Sequence, residues 1–287
     1  MGAVGVQTER NIKASYNNKT NSMKTATAIA LITAVIGFTA VAAESNQTPP
    51  SSSSPPVQVG KCLAAMQKAA GANKYLFAFF YEKDDDATRA ARKTFDEGLK
   101  KLTPAPESVT VDRTAPAESE LVTKFGVARA PMPFVLAIAP NGAITGGFKA
   151  ADATEERLLD SVASPGMQQC LKALQERKLV FVCLQNGKTT SNEAAMKGVN
   201  DFKADPRFAD TTEVVKVDPT DAKEAKLLAQ LKADPKAKPA NTAFIAPPGV
   251  VVASVEGATS KAELFAALQK AMTSCAPGSG CCPVPKK

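Results

Sequence analysis

From residue 60 onward the apolar positions of the chain keep changing period. Over 60–70 Leu63, Met66 and Ala70 recur at helical spacing. The next run, YLFAFFY at 75–81, is apolar at successive positions, as a central strand covered on both faces should be. Helical spacing returns over 86–102 with Ala91, Phe95, Leu99 and Leu102. A strand at 108–112, a helix at 117–126 and a strand at 134–139 follow. Pro140-Asn141-Gly142 supplies a turn, and a strand at 143–148 and a helix at 153–162 complete the unit. The order αβαβαββα requires parallel pairing through helical crossovers in its first half and a hairpin in its second.

The pattern then repeats. SVTVDRT (108–114) lies over VVKVDPT (214–220), AESELVTKFGV (117–127) over KEAKLLAQLKA (223–233), and TEERLLDSV (154–162) over SKAELFAAL (260–268), all at an offset of 106. IAPNG (138–142) lies over IAPPG (245–249), YLFAFFY resembles LVFVCLQ (179–185), and Cys62-Leu63 resembles Cys170-Leu171. A period this long describes tandem globular domains rather than a solenoid, here 57–165 and 166–275, with the break at Ala163-Ser164-Pro165-Gly166.

Ahead of the repeats, residues 1–43 form a leader, in which Met23-Lys24 is followed by 19 uncharged residues, Thr25 to Ala43. Its small-residue exit, Ala40 and Ala42 or Val41 and Ala43, makes 23–43 a secretory signal; an uncleaved membrane anchor is the competing reading of a stretch this long. Residues 44–58, ESNQTPPSSSSPPVQ, have no core-forming content and read as a disordered linker. The expected location is therefore periplasmic or secreted, with no membrane span after cleavage. Cleavage removes four basic side chains and one acidic one, taking the net charge from +7 to +4. That mild charge, mixed along the chain, excludes a nucleic-acid surface.

Composition narrows the chemistry. The chain has no His, which removes imidazole bases, imidazole metal ligands and the catalytic triads built on them. Six Cys, in a compartment that permits disulfides, are the chemically distinctive residues left.

The element order resembles the thioredoxin fold. LFAFFY runs straight into a helix, FGV (125–127) closes the following one, and Pro133 stands before FVLAIAPNG where thioredoxin-like proteins carry a cis-proline. Pro131, inside a two-residue insert relative to the common family spacing, is the other candidate. In the second copy Pro239 stands before NTAFIAPPG. The resemblance implies a Cys-x-x-Cys at each strand-to-helix junction, where the helix N-terminus lowers a thiol pKa. The junctions instead read Glu82-Lys83-Asp84-Asp85-Asp86-Ala87 and Asn186-Gly187-Lys188-Thr189-Thr190-Ser191, so neither can exchange dithiols. Asp85 or Asp86, and Ser191 or Asn192, are suited to capping the helices instead. Three successive carboxylates could also meet a divalent cation, but they do not converge on one point, and no metal site is expected there. What the resemblance leaves is a groove beside the cis-proline, with Met132, Pro133 and Phe134 in copy one and Pro239 and Ala240 in copy two as contacts for a protein or peptide partner. The plainer alternative is that these prolines only shape the turn into a strand.

Cys183 falls in mid-strand and reads as an inert buried thiol; Cys62 and Cys170 open corresponding helices, as half-exposed thiols or with partners. Cys275, Cys281 and Cys282 crowd the tail, 276–287 with the helix end before it, where Gly278-Ser279-Gly280 eases loop closure. Three uses compete there: a local disulfide from Cys275 to Cys281 or Cys282, a vicinal redox pair, and a thiolate clamp for a soft metal. A local disulfide leaves one thiol to find Cys62, Cys170 or a second chain, the last giving a covalent dimer. The sequence thus describes an exported, redox-inactive tandem of thioredoxin-like binding modules with no cofactor. The alternative is thiol-disulfide or metal-handling activity in the tail. The signal reading predicts that the exported protein begins at Ala43 or Glu44; intact mass decides it, and retention of 23–43 in a membrane fraction would contradict it.

Overall fold

The computed structural model describes residues 60–274; the leader, the linker and the cysteine tail called above lie outside the described residues. In the first domain α1 (Lys61–Gly71), β1 (Leu76–Tyr81), α2 (Asp86–Leu99), β2 (Glu107–Asp112), α3 (Ser119–Lys124), β3 (Phe134–Ile138), β4 (Ile144–Lys149) and α4 (Glu155–Asp160) follow one another. The second repeats them as α5 (Pro165–Gln175), β5 (Leu179–Leu184), α6 (Asn192–Lys203), β6 (Thr212–Val217), α7 (Ala225–Leu231), β7 (Asn241–Ala246), β8 (Val250–Glu256) and α8 (Lys261–Ser274). The sheet orders are β2-β1-β3-β4 and β6-β5-β7-β8. In each, the first two strands pair in parallel and the last two close an antiparallel hairpin. This is the thioredoxin-like topology, twice over.

Alternation along the central strands explains the layers. Leu76, Ala78 and Phe80 of β1 face one side with α1 and α3; Phe77 and Phe79 face the other with α2 and α4. In domain two Val180, Val182 and Leu184 face α5 and α7, while Phe181 and Cys183 face α6 and α8. The second face is held by aromatic contacts, Phe181 stacked on Phe244 at 4.3 Å and edge-on to Phe202 at 5.2 Å. Each such fully buried side chain contributes roughly 1.5–3 kcal/mol. Cores on either side of the domain break share no residue.

Several helices are shorter than their apolar periodicity suggests. α2 stops at Leu99, although Leu102 remains buried against the same core. The predicted helix at 117–126 is a 3₁₀ turn, Pro116–Glu118, followed by α3, and it ends before Gly126, whose φ of 69° is left-handed. The segment 153–162 keeps only α4, started by the Thr154 hydroxyl. On α1 the buried face is Cys62 and Ala69 with Met66 half-buried, while Leu63 and Ala70 are exposed, so the predicted stripe is rotated.

The same helix also carries a slip in the matching of the repeats. Cys62 N–H donates to the Glu118 carboxyl at 3.3 Å, and Gly166 N–H donates to Glu224 at 2.8 Å. Asn73 and Arg177 end the two helices in the same left-handed conformation, with φ of 51° and 61°. Structurally Cys62 therefore stands where Gly166 does, and Met66 where Cys170 does. The Cys-Leu identity matched the helices one turn out of register. Glu118 and Glu224, both buried, fasten the first helix of each domain to the turn before its third. Ser164 adds a hydroxyl donor to Glu224.

The domains also touch. Lys226 Nζ donates to Asp160 O at 2.9 Å across the break, while within domain one Tyr75 Oη donates to Ala163 O at 3.1 Å and accepts from Ala163 N–H at 2.8 Å. Gln175 Nε2 donates to Ile144 O at 2.7 Å, and its Oε1 accepts from Ile144 N–H at 2.9 Å. Pro165 opens α5 at a position whose missing N–H costs nothing. Because each domain owns both faces of its core, 57–165 and 166–275 expressed separately are each expected to unfold cooperatively by circular dichroism. Non-cooperative melting of both would mean the pair folds as one body.

Candidate functional site

The end of β1 sets the geometry of the first site. Phe80 pairs with Phe134 and Tyr81 with Asp112, so the junction that begins at Glu82 lies between the turn after β2 and the residues leading into β3. Of the two candidate prolines it is Pro133 that follows a cis peptide bond, from Met132. Met132, Pro133 and Phe134 are half-buried, and Phe134 has room because Gly147 lies against its ring; a Cβ there would meet Phe134 Cζ at 3.0 Å.

The junction is a helix start stabilised by carboxylates. Asp85 caps α2, accepting from Thr88 N–H at 2.8 Å, and these Thr88 bonds hold its carboxyl below the usual range. Asp84 and Asp86 both pair with Arg89, which leaves them on a solvated turn. Among the described residues no three His, Cys, Asp or Glu side chains stand close enough to hold a metal ion.

Arg113 was not singled out from the sequence, and it organises the site. Its guanidinium pairs with Glu82 and donates to the carbonyls of Val127, Ala128 and Ala130 at 3.5, 3.3 and 3.2 Å. It thus ties the junction to the loop that leads into Met132. The signal was present as a mismatch, since Pro219 takes its place within the otherwise similar VDRT and VDPT segments. Along this edge, Met132 has both its main-chain N–H and C=O without a hydrogen-bond partner among the described residues.

The second copy is built differently. Ala150 N–H donates to Pro133 O, and its counterpart Gly257 N–H donates to Ala240 O. Ala240 therefore holds the cis-proline position, and Pro239 the place of Met132. No cis bond precedes Pro239; the other two lie at Thr103-Pro104 and Pro247-Pro248. Thr190 runs as a bridge along Pro239, its N–H donating to Lys238 O at 2.7 Å and its C=O accepting from Ala240 N–H at 2.9 Å. Ala240 is buried, and beside Pro239 remains a cavity of about 110 Å³, room for a few waters. Ser191 precedes α6 with φ of 64° and makes no capping bond. Order at this junction comes instead from Asn186, Thr189 and Asn192, joined by bonds of 2.7–2.8 Å.

The described cysteines sit apart from both junctions. Cys62 and Cys170 are not half-exposed, as the sequence allowed, but buried; burial, with Glu118 or Glu224 nearby, pushes each thiol up to about 12. Burial takes Cys183 to about 11. Cys275, Cys281 and Cys282 lie outside the described residues.

No protein-family model matches the sequence, and no curated protein matches it. Solved structures similar to it include a disulphide isomerase from Xylella fastidiosa Temecula1, at 18% identity over 34% of this chain and 82% of that one, with a TM-score of 0.28. The first two thioredoxin domains of Saccharomyces cerevisiae Eps1p align at 11% identity over 71% of this chain and 94% of that one, TM-score 0.26. Zinc-bound human ERp44 aligns at 10% over 75% and 60%, TM-score 0.30. At these scores the fold assignment rests on strand order and direction within the chain itself. Among the described residues no helix is long and apolar enough to cross a membrane.

The thiol environment yields a prediction. In native protein at pH 8, Cys62, Cys170 and Cys183 are expected to resist alkylation, and to react once the chain is unfolded. Their raised values stabilise the fold fully below the ordinary thiol value near 9, and that contribution falls as pH rises towards 11–12. Mass mapping with iodoacetamide, and unfolding midpoints between pH 8 and 11, check both; rapid native labelling of any of the three would contradict the burial.

Proposed function

We propose that the chain is an exported, redox-inactive tandem of thioredoxin-like domains that works as a binding module, with the first domain as the recognition unit. The observation that carries this reading is Met132, whose main-chain N–H and C=O are both unpartnered among the described residues. A peptide laid alongside in extended form would satisfy both, as in strand addition to a sheet edge. Met132 and Phe134 supply apolar contact to such a peptide, and Pro133 separates them.

Chemistry at the same place is opposed by the residues present. Where the fold's thiolate would stand, Asp85 accepts from the first turn of α2, and a carboxylate cannot attack a disulfide. Domain two is assigned no recognition role in this reading, because Thr190 already takes up Lys238 O and Ala240 N–H, and Pro239 has no N–H to offer. The partner class that fits is an extended peptide or an unfolded segment. The proposed export is consistent with such a partner, since a periplasmic or secreted location would supply unfolded segments.

Titration of ¹⁵N-labelled protein with a cysteine-free extended peptide library tests the reading. The Met132 amide, with Ala130 and Phe134, is expected to shift, while Thr190 and Ala240 stay still. Arg113→Ala, which frees the 127–130 loop, is expected to weaken binding about tenfold, the scale of losing a hydrogen bond from a charged donor. Saturable shifts at the second-domain bridge with none at Met132 would overturn the assignment.

A further inference from the structure

The edges of the two sheets are treated differently. In domain one the outer edge of β4 is covered by the chain that leaves the domain. The Gln175 side-chain amide takes both main-chain groups of Ile144, and Asn141 Nδ2 donates to Gln168 O at 2.9 Å. Ala143 is fully buried there and Ile144 half-buried.

Domain two repeats the edge without the cover. Val251 pairs with Ile245 as Ile144 pairs with Ile138, next to the same irregularity in the hairpin. Among the described residues nothing bonds the Val251 backbone as Gln175 bonds that of Ile144. Val250 is 55% exposed, Val251 47%, and Met272 near the end of α8 68%. Together with neighbouring strand and helix residues they frame an apolar cleft of about 680 Å³. An exposed apolar edge strand is a template for further pairing, and proteins rarely leave one bare.

We infer that the chain's own C-terminal segment, residues 281–286, adds to β8 as a fifth strand and covers this cleft. Three observations select this occupant. In domain one the equivalent edge is covered by the chain that follows the last helix, and after α8 that chain is 275–287. Residues 275–280 hold Gly278-Ser279-Gly280 and can span about 20 Å at roughly 3.3–3.6 Å per residue, so the chain can turn back from the helix end to the strand that shares the cleft. The sequence Cys282-Pro283-Val284-Pro285 alternates residues that have an N–H with residues that lack one. In a strand, alternate residues aim their main-chain groups to the same side. With Cys282 and Val284 bonded to β8, both prolines turn their missing donors to solvent, the arrangement tolerated on an outermost strand. The added strand then offers no outward N–H at Pro283 or Pro285 to a further chain on this side of the sheet.

Amide hydrogen exchange of the full-length chain tests this, against a chain ending at Ser274 and full-length chains carrying Cys282→Pro or Val284→Pro. The Val251 amide is expected to exchange at least about tenfold faster in all three variants, with rates in the aromatic core of domain two unchanged. Equal Val251 rates in all four proteins would overturn the inference. So would protection that disappears on dilution, which assigns the edge to a second copy. Protection that disappears on adding reductant would also overturn it, since a crosslink would then hold the tail.

Discussion

A strand that is apolar on both faces has to be covered twice, and that requirement organises each domain. β1 and β5 offer large side chains alternately to either side, so helices must lie on both. Only a crossover helix can bring the next strand back in parallel, and only a hairpin closes the other side. The C-terminal end of the central strand then emerges between the turn after its parallel neighbour and the start of its antiparallel one. This is why Glu82, Arg113 and the 127–130 loop meet although they are distant in sequence. The site is a by-product of burying the middle strand.

This much was legible because hydrophobic periodicity and burial are the same fact seen twice. Element order, strand direction and the two-faced central strand follow from apolar spacing with the turn residues between, and the twofold repeat from segments matched at a fixed offset. What periodicity could not resolve was register within a helix. α1 offers Cys62, Leu63, Ala65, Met66, Ala69 and Ala70 as apolar choices, and several stripes fit. The deciding contact is polar: the Glu118 carboxyl accepting from Cys62 N–H fixes where the helix begins and therefore which face turns inward. The matching Glu224 was visible at the repeat offset, but its partner is a backbone amide, which sequence does not display. Pro239 misled for a related reason. A one-residue difference in the approach to β7 moves the proline off the position where residue identity alone would place it.

The two junctions show how a duplicated scaffold can diverge by changes at its rim while the core stays alike. In domain one a guanidinium holds the loop from below through three carbonyls, and the following main chain is left unoccupied. In domain two a proline replaces that guanidinium, and Thr190 bonds the residues on either side of Pro239, through Lys238 O and Ala240 N–H. The Asp112–Thr114 and Asp218–Thr220 turns beneath are the same, with Asp accepting from Thr N–H at 2.8 Å in each. The difference therefore arises above a shared foundation, where substitution disturbs the core little.

Gln175 is one side chain, yet its amide carries the same donor and acceptor as a peptide group. Set against Ile144 it acts as a strand one residue long. Because it belongs to the helix that opens the following domain, the finishing of one sheet is delegated to its successor in the chain. The tandem consequently has a grammatical order. Exchanging the halves would separate β4 from the residue that terminates it, and would place Gln175 in front of nothing. Two units of the same topology are in this way not interchangeable, although their strands run alike.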